Sequence, residues 1–241
     1  MKNLFLFLFL LVVFTSKAQD NRVSGLNSRQ FTKYWKVESE SPDYKVTFQG
    51  DTAEIVSPKG LTLWRKEKMS GKVTIEYDAC VVVESDGDRL SDLNCFWMAS
   101  DPQYPDNLWK REKWRSGIFL NCYSLQLYYL GYGGNHNSTT RFRRYDGDES
   151  GITNPKARPA ILKEYTDAGH LLKPNHWYHI KITNENNRVS YYIDGERLVD
   201  FRDAEPLREG WFGFRTTLSR TRITNFSYEC SSQEAAVVPL Q

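Results

Sequence analysis

The sequence predicts an all-β sandwich or barrel. Helical periodicity is scarce, short runs rich in β-branched and aromatic residues recur, and turn-forming residues separate them. The runs fall at residues 44–48, 53–56, 61–64, 73–83, 95–98 and 118–132, and continue at 140–145, 177–183, 189–193, 211–216 and 223–228. The clearest hairpin spans 189–201, where Asp194-Gly195 is a strong two-residue turn signal between alternating runs. Residues 146–175 are the outlier. Long and rich in Gly, Pro, Asp and Lys, they read as a functional loop or lid.

The amino terminus predicts export. Lys2 supplies a basic start, residues 4–14 an apolar run too short to cross a bilayer, and Ser16-Lys17-Ala18 a cleavage signature. No other segment is apolar enough to span a membrane. The expected organisation is a signal peptide at 1–18, an N-terminal segment at 19–27, one β domain at 28–230 and a flexible tail at 231–241.

Removing residues 1–18 takes away Lys2 and Lys17 and no acid, so the formal charge falls from +2 to zero. A neutral chain argues against nucleic acid as a partner, which needs a large basic excess. Charge is nonetheless clustered at Arg141, Arg143 and Arg144, a pattern that suits a particular anionic ligand. Cys80, Cys95, Cys122 and Cys230 permit disulfides in an oxidising compartment, and Cys95 with Cys122 is the favoured pair.

The last third carries a recognisable order. "HWYHIKITNENNRVSYYIDGERLVDF", "PLREGWFGFRT" and "SRTRITNFSY" follow one another. This resembles the C-terminal half of the concanavalin A-like (laminarinase and lectin type) jelly rolls. The resemblance implies a jelly-roll sandwich of two antiparallel sheets. It leaves function open, since that superfamily holds glycosidases, lyases and binding modules alike.

Familiar catalytic motifs are missing: Glu-x-Asp-x-x-Glu, Gly-x-Ser-x-Gly, His-Glu-x-x-His and phosphate-binding loops do not occur. Asp86-Gly-Asp88 with Asp92 offers oxygen ligands of the kind calcium takes, although a polar turn explains them as well. No cofactor is expected.

The densest polar stretch is Gly-Tyr-Gly-Gly-Asn-His-Asn-Ser-Thr-Thr-Arg-Phe-Arg-Arg-Tyr, residues 131–145. Elimination next to a uronic acid needs a cation on the carboxylate, a base for the carbon-bound proton and a donor for the departing oxygen. On a strand from Thr140, Arg141, Arg143 and Tyr145 share one face and Phe142 and Arg144 the other. His136, between Asn135 and Asn137, sits at the preceding turn. His136, Tyr145, Arg141 and Arg143 are therefore the candidate catalytic set. Arginine's planar fork suits a carboxylate or sulfate. The competing reading is a hairpin tip with solvated arginines. Trp97, Asn121 and Tyr123 are candidates to line a sugar cleft, Arg215 to complete an anion pocket, and Tyr165 and His170 to sit on a lid.

The same stretch resembles small exported jelly-roll proteins of bacterial polysaccharide-utilisation loci, among them the oligosaccharide dehydratases of ulvan breakdown. That resemblance implies removal of water from a saturated uronic acid at a non-reducing end, with an anionic oligosaccharide or polysaccharide as partner. The alternatives are a lyase cleaving the glycosidic bond, a carbohydrate-binding protein, and a hydrolase using Glu149 or Glu164.

Overall fold

Alternation of inward and outward side chains sets the strands, and the computed structural model describes them over residues 22–231. The expected signal peptide and the tail past Ser231 lie outside the described residues. The first seven strands are β1 (Val23–Ser24), β2 (Trp35–Ser39), β3 (Lys45–Gln49), β4 (Thr52–Arg65), β5 (Met69–Ser70), β6 (Lys72–Val81) and β7 (Leu93–Ser100). A helical insertion at 101–125 follows. The remaining strands are β8 (Gln126–Gly133), β9 (Thr139–Asp146), β10 (Lys163–Tyr165), β11 (Tyr178–Glu185), β12 (Arg188–Ile193), β13 (Glu196–Arg202) and β14 (Glu209–Ser231).

Two long strands run through both layers of the sandwich. The front layer is ordered β10-β9-β8-β7-β14-β4-β2 and the back layer β13-β12-β11-β6-β14-β4-β3, all antiparallel. This is the predicted all-β jelly-roll sandwich. The runs expected as separate strands at 53–56 and 61–64, and at 211–216 and 223–228, are the two halves of β4 and β14. β14 crosses between layers at a bulge between Thr217 and Ser219, where Leu218 has φ +48 and its side chain is turned to solvent. Opposite it in β4, Pro58 sits where a missing ladder donor costs nothing.

The core lies between the layers. On β8, Tyr128, Leu130 and Tyr132 point into it, and Trp97 packs there against Tyr128, Phe142 and Tyr191 at centroid distances of 5.6, 6.0 and 6.1 Å. Burying such large rings is a main source of stability. The β12–β13 turn has Asp194 at φ +51 and Gly195 at φ +85, the positive pair a two-residue hairpin requires.

A second aromatic cluster covers part of the front layer's outer face. Trp64, Phe96, Tyr129, Tyr145 and Trp211 pack there against Leu108, Cys122 and Tyr123 of the insertion. Residues 118–125, expected to begin a strand, do not: Leu120–Ser124 is a 3-10 turn closed by Ser124 Oγ donating to the Asn121 carbonyl at 2.7 Å. An apolar run alone does not separate strand from buried helix. The expected Cys95–Cys122 disulfide is not formed. Cys95 belongs to the core and Cys122 to the outer cluster, on opposite faces of the sheet, and all four cysteines are free. Burial pushes the Cys95 thiol up to about 12 and the Cys122 thiol up to about 11.

Candidate functional site

Two adjacent rows of side chains cross the outer face of the front layer. The first runs Glu38–Thr62–Arg215–Asn94–Gly131–Arg141–Glu164, from β2 to β10. The second runs Lys36–Trp64–Gly213–Phe96–Tyr129–Arg143. The polar row and the aromatic row meet at Gly131. A Cβ there would lie 2.3 Å from the Tyr129 hydroxyl oxygen, so the missing side chain lets the phenol lean into the polar row between Asn94 and Arg141. Gly131→Ala is accordingly expected to displace Tyr129. A crystal structure of the variant should show the ring rotated away, and an unmoved ring would refute the close-approach argument.

A cleft of about 370 Å³ opens over this floor. Phe119 and Tyr123 of the insertion form one wall, and the turn carrying Asn135 and His136 forms the other. Arg215 is buried; it donates to the Gly117 carbonyl at 2.6 Å and to Thr62 Oγ1 at 3.3 Å. Neither Arg215 nor Arg143 has a carboxylate partner among the described residues; Arg143 donates to the Pro159 carbonyl. Arg141 is paired with Glu164 at 2.5 Å, and Arg89 with Asp92 at 2.6 Å. Burial raises the Tyr129 hydroxyl pKa and Asp92 raises it further, while Arg215 and Arg143 pull it back. The phenol therefore holds its proton at neutral pH.

The His136 turn is left-handed. Asn135, His136 and Asn137 have φ +52, +58 and +58, a conformation costing about 1–2 kcal/mol per ordinary L-residue. Asparagine tolerates it best, so of the three His136 carries the most strain. Its imidazole is exposed, lines the cleft and has no hydrogen-bond partner among the described residues.

A family model described as a domain of unknown function, DUF6250, matches residues 55–226. The chain belongs to the DUF6250 family. The match covers β4 from Ile55, β14 up to Phe226 and every lining residue of the cleft except Glu40. No curated protein shows significant similarity in sequence to this DUF6250 chain. Its fold is similar to that of a Bacillus subtilis protein of unknown function with a galectin-like fold, with a TM-score of 0.68 at 16% identity, over 88% of this chain and 96% of that one. The carbohydrate binding module CBM66 from Bacillus subtilis superposes with a TM-score of 0.54 at 17% identity, over 81% and 94% of the two chains. The Emp47p carbohydrate recognition domain gives 0.55 at 14%, over 90% and 99%. At these identities the likeness establishes a galectin-like jelly-roll fold and nothing finer.

The sequence-based candidates divide sharply in the DUF6250 fold. His136, Arg141, Arg143, Asn135, Tyr123 and Arg215 all line the cleft. Tyr145 shares the arginines' strand face but lies one row deeper, fully buried under Tyr123 and Tyr129 at 5.2 and 5.8 Å. Trp97 is on the opposite face, inside the core. The Asn121 amide donates to the Trp114 carbonyl at 2.9 Å. Asn137 turns away from the cleft to bond the backbone of Leu172. Asp88 accepts from the Glu84 and Ser85 amides, Asp92 holds Arg89, and among the described residues no cluster of three His, Cys, Asp or Glu side chains is arranged for a metal.

The segment 146–175 contributes no lining residue to the cleft. It flanks β9, with Arg158 over the Tyr123 ring at 5.9 Å, then adds β10 to the sheet edge and crosses to the back layer. There Tyr165 donates to the Leu198 carbonyl at 2.8 Å, and His170 stacks on Tyr165 at 4.1 Å between Asp167 and Glu196. Burial lowers the His170 pKa, but Asp167 and Glu196 together raise it above the ordinary 6.5. A raised imidazole pKa stabilises the fold fully below 6.5, and that contribution is lost as pH rises through the raised value. An NMR titration should give a midpoint above 6.5 that falls in Asp167→Asn. An unchanged midpoint in the variant would show that Asp167 is not the cause.

Cleft residues missed in the sequence include Tyr129, Gly131, Asn94, Arg89 and Glu40, and Asp92, singled out there only as an oxygen ligand for calcium, lines the cleft as well. For Tyr129 a signal existed, since Leu127, Tyr129 and Gly131 alternate with Tyr128, Leu130 and Tyr132.

Proposed function

We propose that this DUF6250 chain is a carbon–oxygen lyase that removes water from a uronic acid at the non-reducing end of an ulvan-type oligosaccharide. The observation that carries this reading is the meeting of His136, the Tyr129 hydroxyl and the Arg141, Arg143 and Arg215 guanidiniums in one cleft. The arginines would hold the uronate carboxylate and stabilise the charge that develops on it. His136 would take the C5 proton, the electron pair would form the C4=C5 double bond, and the C4 hydroxyl would leave as water with the Tyr129 proton. Tyr129 replaces Tyr145 as the acid in this scheme because it alone of the two reaches the cleft. The resemblance of residues 131–145 to oligosaccharide dehydratases supports dehydration over chain cleavage. The names of the carbohydrate binding module and the carbohydrate recognition domain of like fold support a sugar ligand. The hydrolase reading has less support, because Glu149 is engaged by Arg111 and Glu164 by Arg141, and neither lines the cleft. The signal-like residues 1–18 support export, and among the described residues no helix is long and apolar enough to cross a membrane.

The test is incubation with oligosaccharides ending in a saturated uronic acid, followed by ultraviolet absorbance and mass spectrometry. Loss of one water with a new conjugated chromophore and no shortening is expected. Shortened unsaturated products would instead identify a chain-cleaving lyase. Binding without any chromophore would identify a carbohydrate-binding protein.

A further inference from the structure

We infer that Asn137 is a positioning residue that holds His136 over the cleft through the backbone of Leu172. The inference rests on the proposed role of His136 as base. His136 has no side-chain hydrogen bond of its own among the described residues, so its placement depends on the backbone of the turn. That turn is strained, with three consecutive positive φ values. What holds it lies behind it. Asn137 Nδ2 donates to the Leu172 carbonyl at 2.9 Å and the Leu172 amide donates to Asn137 Oδ1 at 2.8 Å, a two-point clamp that mimics a strand pair. Leu172 is itself anchored, buried in the core with its side chain so close to Gly133 that a Cβ there would lie 2.4 Å from it. Thr140 Oγ1 reinforces the junction, donating to the His170 carbonyl at 2.6 Å and accepting from the Gly133 amide at 3.2 Å. Within the turn the Asn135 side chain makes a single 3.3 Å bond to Thr139 and its carbonyl accepts from Ser138 Oγ at 2.7 Å, and neither bond ties the turn to another segment. The clamp thus ties the base to a segment on the far side of the sheet edge, away from the substrate.

Asn137→Gly separates the clamp from the backbone preference, because glycine accepts the left-handed conformation without strain. The variant is expected to lose about 10–100-fold in kcat, as misplaced catalytic groups do, with KM changed by no more than about twofold. In a His136→Ala background the same change should add nothing, since Asn137 acts only through His136. The His136 imidazole resonances should also move or broaden in Asn137→Gly. Wild-type kcat in Asn137→Gly, or a further loss in the His136→Ala background, would overturn the inference. If His136→Ala itself keeps full turnover, the base assignment fails, and the imidazole resonances then decide alone: unchanged signals in Asn137→Gly would refute positioning.

Discussion

His136→Ala is expected to lower the rate of elimination by about 10²–10⁴-fold, the usual worth of a positioned general base. Sugar binding should persist, because the arginines, Asn94 and Tyr129 that form the floor of the cleft are untouched. The fold should persist too, since the imidazole is exposed and bonds nothing among the described residues. Alanine inherits the left-handed strain, so His136→Asn serves as the companion variant: asparagine accepts that conformation yet cannot act as a base. Both should lose unsaturated product to the same degree while calorimetry records near-normal affinity. Near-full turnover in either would show that the base lies elsewhere. Loss of binding in both would show instead that His136 holds the sugar.

Arg115→Ala is expected to destabilise the protein by roughly 3–5 kcal/mol, the cost of leaving a buried charge without its partner. Arg115 is fully buried and donates to Glu38 at 2.9 and 3.3 Å and to the Leu108 carbonyl at 2.6 Å, with Asp101 3.7 Å away. It therefore pins the insertion, which supplies Phe119 and Tyr123 to the cleft, onto β2. Burial raises the Glu38 pKa, and Arg115 is the main influence opposing it. Without Arg115 the folded carboxyl would bind its proton more tightly than the unfolded one. The penalty should then be smaller near pH 4.5 and grow as pH rises through the raised folded value. Urea unfolding of both proteins near pH 4.5 and at neutral pH measures this. The double change Glu38→Leu with Arg115→Met should recover much of the loss, since apolar replacements often match a buried ion pair. A loss below about 1 kcal/mol in Arg115→Ala would show that the guanidinium is not a structural keystone.

What was legible in the sequence follows from period-two alternation and turn chemistry. The strand rhythm, the Asp194-Gly195 hairpin and the shared face of Arg141 and Arg143, with Phe142 turned into the core, are local properties of the chain. The joining of two runs into each of β4 and β14 was not legible, because a bulge at Leu218 reads as a strand end when its partner strand is unknown. Nor was the face each aromatic takes. On β8, both Leu127–Tyr129 and Tyr128–Leu130–Tyr132 are apolar enough to be core, and only the insertion packing on one side and the back layer on the other assign them. The same ambiguity hid Trp97 in the core and left Tyr129 out of the candidate site.

The sequence by itself thus determined an all-β chain with a strand presenting two arginines on one face beside a turn rich in asparagine and histidine. Side-chain alternation and left-handed tolerance are written in consecutive residues. Only the tertiary structure decided which phenol meets those arginines. Tyr129 faces Arg143 across a ladder and leans over Gly131, whereas Tyr145, two residues beyond Arg143 on the same strand face, is covered by the insertion. That outcome depends on strand register and on what a distant segment covers, and neither is a property of neighbouring residues.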